Sequence, residues 1–236
     1  MHPGVQLGAA DAARAYGTPF ISGKDSLHNT YRADGVSHSI PPVLLVSAIS
    51  VAKGPLCAPG SDVKDAGSAM VLLGPQAAIP GSLLQLKYHG DGGVVARFDA
   101  DLGPKLLEKL RHWIVERRVR AVHDLSDGGL AVAAAEMAFG GGGLGIDLHL
   151  DGADDDRIAT LFGEGPHRFL VEVSPTEVDA LLLEADSARI PAWCIGTSTD
   201  DGVFRIRYSG ETCIESPVDS LKKIWKRSLE AIWPTP

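Results

Sequence analysis

Several features that would assign the class of a protein at once are scarce or missing in this sequence. Its 236 residues include only three cysteines, Cys57, Cys194 and Cys213, whose spacing fits neither a disulfide framework nor a metal-binding motif. No apolar run reaches the length of a membrane span, because the best candidate, residues 42–51, is strand-length and carries two serines. Basic residues number 22 against 30 acidic ones, which argues against a nucleic-acid-binding surface.

A targeting segment is also lacking. The first residues contain no basic region followed by an apolar stretch, so we expect no signal peptide, no membrane association and a cytoplasmic location. The cysteines are then expected to be reduced thiols. A hydrophobic content of 44% and a mean hydropathy of +0.05 are typical of a globular chain long enough to bury a core.

Helices and strands alternate along most of the chain, with short connections. The apolar patterns predict helices at 4–16, 102–117, 131–139, 155–162, 175–184 and 217–232. They predict strands at 42–51, 69–73, 119–122, 146–150, 169–173, 193–196 and 203–208. The turn-rich stretch 53–67 is the best candidate domain boundary. This order predicts an α+β or α/β layered architecture.

The segment 123–130, His-Asp-Leu-Ser-Asp-Gly-Gly-Leu, places a polar loop and two glycines in front of an alanine-rich helix. Free N–H groups at a helix start attract anions, Gly128 and Gly129 would let a phosphate approach, and Asp124 and Asp127 could hold Mg²⁺ beside it. An ordinary capped helix, with Ser126 or Asp127 as the N-cap, is the alternative. From these residues alone both interpretations stay open.

A second polar loop, residues 17–26, contains Gly23, Lys24, Asp25 and Ser26. It is not a P-loop, because five residues separate its glycines and Asp25 stands where a serine or threonine should hold Mg²⁺. The cluster suits a phosphorylated ligand or a metal–nucleotide, and an exposed turn explains it as well. The stretch 27–35 is expected to be irregular.

Residues 162–168 join a helix to a strand and include Glu164, His167 and Arg168. A solvated connection explains them equally well, because loops are normally polar. No catalytic triad, carboxylate pair or His/Cys metal spacing is present in the sequence, so no acid–base site is assigned.

Taken together, the stretches 16–27, 44–49, 123–130 with 136–138, 161–164 and the tail 221–232 with Trp225 resemble one family. That family is phosphoribosylformylglycinamidine synthase (FGAM synthase), in its C-terminal half, within the aminoimidazole-ribotide-synthetase-like superfamily. The resemblance implies a partial β-rich A domain at 1–65 followed by an α/β B domain at 66–236, an α+β fold.

The resemblance also implies an activity. FGAM synthase is an ATP-dependent carbon–nitrogen ligase of purine biosynthesis that converts formylglycinamide ribotide, glutamine-derived ammonia and ATP into formylglycinamidine ribotide, ADP and phosphate. On the matching positions, the nucleotide contacts are Gly23, Ser126, Gly128 and Gly129, Ser26 contacts the substrate, and Asp25 and Asp124 hold Mg²⁺.

One departure from the family limits these expectations. The family's catalytic histidine, its first nucleotide site and its glutaminase signature have no counterpart in this sequence, so no catalytic residue is assigned. We expect a fragment or one piece of a split enzyme, inactive alone, whose partners are the missing half and a glutaminase subunit. The alternatives are a non-catalytic nucleotide-binding module or another ATP-dependent synthetase of the same fold. His28, Asn29, Glu164, His167 and Arg168 receive no role.

Overall fold

The computed structural model describes residues 3–24, 30–39, 44–51, 58–88, 90, 92–150 and 156–232. The chain forms two compact units, Met1–Leu56 and Cys57–Pro236. The first unit ends nine residues before the domain boundary predicted between 65 and 66, which stays a prediction.

The first unit contains one helix and one hairpin. Helix α1 spans Pro3–Tyr16. Gly17 follows it, and its positive φ of 63° is the usual conformation of a residue just past a helix. Strands β1, Thr30–Ala33, and β2, Val36–Ser39, pair antiparallel across the two-residue turn Asp34–Gly35. Asp-Gly between two strands is a strong hairpin signal, so the expectation of irregular chain through residue 35 is wrong from residue 30 onward.

The strand predicted at 42–51 is not present over its described part, residues 44–51. The side chains of Leu45, Ile49 and Val51 are 85–92% exposed. An apolar, β-branched run becomes a strand only when a neighbouring strand completes its hydrogen bonds, and no described residue pairs with this one. The pattern therefore identified a segment suited to a sheet without supplying its partner.

The second unit is built on a seven-stranded sheet in the order β4-β6-β3-β7-β5-β8-β9, antiparallel except for β5 beside β8. Its strands are β3 Ala69–Leu73, β4 Val119–Asp124, β5 Gly145–Leu150, β6 Phe169–Val173, β7 Ala192–Thr199, β8 Val203–Tyr208 and β9 Glu211–Pro217. Its helices are α2 Leu83–Lys87, α3 Leu102–Val115, α4 Gly129–Phe139, α5 Arg157–Phe162, α6 Val178–Ser187, preceded by a 3₁₀ turn at Pro175–Glu177, and α7 Val218–Ile232. The sequence did not predict α2 or β9.

Helices cover both faces of this sheet, and a hydrophobic core lies on each side. Met70 of β3 packs into the core beside α4, while the next residue, Val71, packs into the core beside α3 and α6. This alternation is the two-residue period of a strand buried on both faces. The predicted mixed α/β architecture is confirmed. None of the described helices has the length and apolarity needed to cross a membrane.

Candidate functional site

The polar segment after β4 forms a loop, residues 124–128, at the end of an edge strand of the sheet. Asp124 is the last residue of β4 and pairs with Phe169 of β6. Leu125 is 3% exposed, and its N–H donates to the carbonyl of Arg168 at 2.9 Å. Because Leu125 is fixed in the core, its neighbours Asp124 and Ser126 are turned to solvent. The loop thus presents polar side chains from a firmly held backbone.

Asp124 and Ser126 contact each other at the solvent side of this loop. The Ser126 hydroxyl donates to the Asp124 carboxylate. The alternative in which Ser126 or Asp127 caps α4 is wrong, because the N-cap residue is Gly128, in the left-handed conformation. Ser126 and Asp127 side chains are therefore not used to close the helix, and both are exposed.

Gly128 and Gly129 are held by hydrogen bonds within the chain. The Gly128 N–H donates to Glu164 Oε1 at 2.8 Å, and the Gly129 N–H donates to the Ser126 carbonyl at 3.1 Å. A phosphate that used either N–H would have to displace these acceptors. The two glycines as nucleotide contacts stay predictions.

A packing requirement explains Gly129. Its φ is +66°, and a Cβ at this position would lie 2.5 Å from the Gly163 carbonyl oxygen and 2.9 Å from the carbonyl carbon of Phe162. Only glycine permits both this backbone conformation and this approach of α4 to the end of α5. The residue thus has a structural role that the sequence did not reveal.

Glu164, which the sequence left without a role, connects three segments. Its carboxylate Oε1 accepts from the N–H groups of Gly128 and, at 2.9 Å, of Leu83. Its backbone pairs in both directions with Ala78. An anion at a helix N-terminus is favoured by the exposed N–H groups and the helix dipole, so Glu164 occupies that position itself.

The other motif residues of the resemblance meet behind the loop. His123 Nε2 lies 3.1 Å from Glu136 Oε2, and Trp225 Nε1 donates to Glu136 Oε1 at 3.0 Å. Lys222 Nζ donates to the carbonyl of Phe139 at 2.5 Å, so α7 is attached to α4 at two adjacent turns. The segments that contain the loop, α4 and the tail helix were related only by the family resemblance. In the structure, hydrogen bonds join them into one unit.

His167 and Arg168 also have structural partners. His167 Nε2 accepts from the Asp99 N–H at 3.3 Å, and burial lowers the pKa of His167 although Asp99 opposes this shift. Arg168 is 4% exposed, its Nη1 donates to the Gly163 carbonyl at 3.0 Å, and burial lowers its pKa to about 10. Both side chains fix the connection between α5 and β6.

The loop of the first unit is described only in part. Gly23 and Lys24 are exposed, and a Cβ at Gly23 would meet nothing within 4 Å. The predicted sites at Asp25 and Ser26, together with His28 and Asn29, lie outside the described residues. Across the described part of the chain, no group of three or more His, Cys, Asp or Glu side chains could hold a metal ion.

Comparison with known proteins identifies the family of this chain. Residues 65–209 match the family model described as AIR synthase related protein, C-terminal domain. The chain belongs to this family. It is 32% identical to the phosphoribosylformylglycinamidine synthase subunit PurL of Synechococcus sp. (strain WH7803), over 94% of the chain and 31% of that protein. It is 30% identical to the same subunit of Alkaliphilus metalliredigens, over 96% and 30%. The chain spans about a third of the length of these relatives.

Solved structures agree on the fold. Thermotoga maritima PurL complexed with FGAR superposes with a TM-score of 0.61 at 23% identity, over 70% of this chain and 29% of that one. The same protein complexed with ATP gives 0.59 at 22% identity, over 70% and 27%. These likenesses show that about 70% of the chain shares its fold with these structures.

Proposed function

We propose that this chain supplies part of an FGAM synthase, the ATP-dependent ligase that forms formylglycinamidine ribotide in purine biosynthesis. The observation that carries the proposal is its 30–32% identity to PurL over more than nine-tenths of its length. The joining of His123, Glu136 and Trp225 through hydrogen bonds supports it, because these residues come from three separate stretches of the resemblance.

Within that enzyme, the proposed task of the 124–128 loop is to hold a nucleotide, ATP or ADP. Ser126 and Asp124 are its best-placed contacts, because both side chains are exposed. The Ser126 hydroxyl donates to Asp124, and the Asp124 carboxylate also lies 3.7 Å from His123 Nδ1. Gly128 and Gly129 contribute through the shape they give the loop, and direct contact from their N–H groups would require release of Glu164 or of the Ser126 carbonyl.

Mg²⁺ fits this loop only as an ion carried by the nucleotide. Of the two exposed carboxylates of the loop, Asp124 and Asp127, only Asp124 lies against Ser126, and magnesium in nucleotide sites is commonly held by one or two carboxylates together with phosphate oxygens and water. When bound, the ion would neutralise phosphate charge. Asp25 as a second ligand, Gly23 as a nucleotide contact and Ser26 as a substrate contact remain part of the proposal.

The proposed partners follow from the share of the relatives that the chain spans. The substrate is formylglycinamide ribotide, and the remaining two-thirds of a PurL-like protein and a glutaminase subunit would complete the enzyme. The cytoplasm is the proposed location.

Calorimetric titration with Mg-ADP tests the nucleotide site. We expect heat of binding from the unaltered chain and roughly tenfold weaker binding for Ser126→Ala and for Asp124→Asn, the loss expected for one hydrogen bond to a charged ligand. Asp127→Asn is the matched control, because Asp127 is an exposed carboxylate of the same loop that does not pair with Ser126. Absence of heat, or equal weakening by all three substitutions, would refute the site.

A chimera tests the enzyme assignment. The corresponding third of Synechococcus PurL is replaced by this chain, and FGAM formation is measured with ATP, formylglycinamide ribotide and ammonia. We expect activity in the chimera and none in the isolated chain. Product from the isolated chain, or a folded but inactive chimera, contradicts the proposal.

A further inference from the structure

A cavity of about 260 Å³ lies beside α5, at the ends of β3, β5 and β7. Its apolar walls include Leu72, Leu150 and Ile195, and the half-exposed ring of Trp193 stands at its side. Arg168, immediately before β6, also lines the cavity. We call this space the Arg168 cavity. It belongs entirely to the second unit and is separate from the exposed pair Asp124 and Ser126.

Arg168 is a buried cation with incomplete pairing. The residue is 4% exposed, Nη1 donates to the Gly163 carbonyl, and Nε has no hydrogen-bond partner among the described residues. A buried charge is costly unless an opposite charge and hydrogen bonds compensate it. Since Arg168 forms no ion pair among the described residues, an anion in the cavity that this residue lines would compensate its charge.

Two described carboxylates, Asp156 in the cavity wall and Glu164 four residues before Arg168, are engaged elsewhere. Asp156 also lines the cavity, but its Oδ1 accepts from the Ala159 N–H at 3.0 Å as the N-cap of α5. Glu164 accepts from Gly128 and Leu83. Neither forms an ion pair with Arg168 in the described part of the chain.

We propose that the Arg168 cavity binds a small organic carboxylate with a flat apolar body. The planar guanidinium matches a carboxylate in shape and charge, and the aliphatic wall with Trp193 suits an apolar body. The volume lies just below the 300–1,000 Å³ usual for ligand sites, which favours a small ligand. The inference does not depend on the synthase assignment.

Calorimetry with benzoate as the probe and benzamide as its uncharged match tests this site on the full chain. We expect benzoate to bind with a Kd below about 1 mM and benzamide roughly tenfold more weakly, because benzamide leaves the charge of Arg168 unpaired. Inorganic phosphate is expected to compete poorly, since it cannot contact the apolar wall. Equal affinity for benzoate and benzamide, no binding of benzoate, or tighter binding of phosphate would overturn the proposal.

Two variants separate the charge from the cavity. Arg168→Gln should abolish the preference for benzoate, while Arg111→Gln, at an exposed position, should leave it unchanged. Ala159→Leu keeps Arg168 and fills the cavity that Ala159 lines, so it should block both probes. If Arg168→Gln does not fold by circular dichroism, Ala159→Leu decides: undiminished benzoate binding in a folded Ala159→Leu chain contradicts the assignment.

Discussion

The two ends of the loop between β4 and α4 have different surroundings although only a few residues separate them. Asp124 and Ser126, at its start, are exposed and contact each other. Gly128 and Gly129, at its end, are held by Glu164, by the Ser126 carbonyl and by close packing against Gly163. The first pair is available to a ligand, and the second pair is committed to the fold.

This difference changes how the glycines are understood. A glycine pair before a helix suggests a phosphate cradle because it frees N–H groups and removes side chains. Here the Gly128 N–H donates to the Glu164 carboxylate, and the missing side chain of Gly129 allows the Gly163 backbone to approach. An internal acceptor such as Glu164 must therefore be excluded before a glycine-rich helix start is assigned to a ligand.

The largest expected effect is at Gly129. Gly129→Ala should destabilise the second unit by about 2–4 kcal/mol, since the alanine is strained at positive φ and its Cβ overlaps the Gly163 carbonyl. Gly142→Ala is the matched control, because Gly142 has φ +67° and open space around it, so only about 1 kcal/mol should be lost. Urea unfolding measures both. Equal losses would show that packing at Gly129 contributes nothing.

A smaller effect is expected at Glu164. Glu164→Ala leaves the Gly128 and Leu83 N–H groups without their acceptor and should cost about 1–3 kcal/mol. Glu164→Gln keeps a side-chain oxygen and should cost less. Glu108→Ala, at an exposed position of α3, serves as the control in the same thermal unfolding series. If Glu164→Ala cost no more stability than the control, the conformation of Gly128 and Gly129 would not depend on the Glu164 carboxylate.

Behind the loop, Glu136→Gln should cost about 1 kcal/mol, because the amide replaces a charged acceptor shared by His123 and Trp225. A double-mutant cycle of Glu136→Ala, which removes the acceptor, with Trp225→Phe, which removes the indole donor, measures the coupling of the Glu136–Trp225 pair. A coupling energy of zero would show that α7 is not fastened to α4 through this contact.

The smallest effect is a pH dependence from His167. This residue lies in the connection between α5 and β6, and Gly129 packs against Gly163 of the same connection. Its folded pKa is lowered by burial, so protonation favours the unfolded chain. The resulting stability is complete above the usual pKa near 6.5 and decreases as the pH falls through that value. Comparing urea unfolding at about pH 7.5 and 5.5, we expect a smaller decrease for His167→Asn, which tolerates the positive φ. An unchanged decrease in stability would show that His167 does not contribute to this pH dependence.

The spacing of apolar residues predicted most strands and helices of the second unit, because it follows the period of a strand or of a helix along most of these elements. β3 was predicted at its observed bounds, and the alternation of Met70 and Val71 between two cores explains why an uninterrupted apolar run marks a strand buried on both faces. Residues 44–51 show the limit of this reasoning, since strand pairing depends on a partner that no local pattern specifies.

The sequence predicted where the candidate site lies but not the contacts around it. Gly128, Gly129, Asp124 and Ser126 were singled out from residue types, and Glu136 and Trp225 from the resemblance. The role of Glu164 depends on a contact between residues 36 positions apart, from Gly128 to Glu164, and spacing along the chain does not encode it. Arg168 likewise required knowledge of burial and of the cavity beside it.

The most direct test follows the backbone amides of the loop by ¹⁵N–¹H correlation spectroscopy during a titration with Mg-ADP. We expect the amide resonances of Asp124 and Ser126 to move progressively and saturate, while the Gly128 amide moves little because its N–H donates to Glu164. The largest displacement at Gly128 and Gly129, with Asp124 and Ser126 unmoved, would contradict this assignment and make the glycines the ligand site.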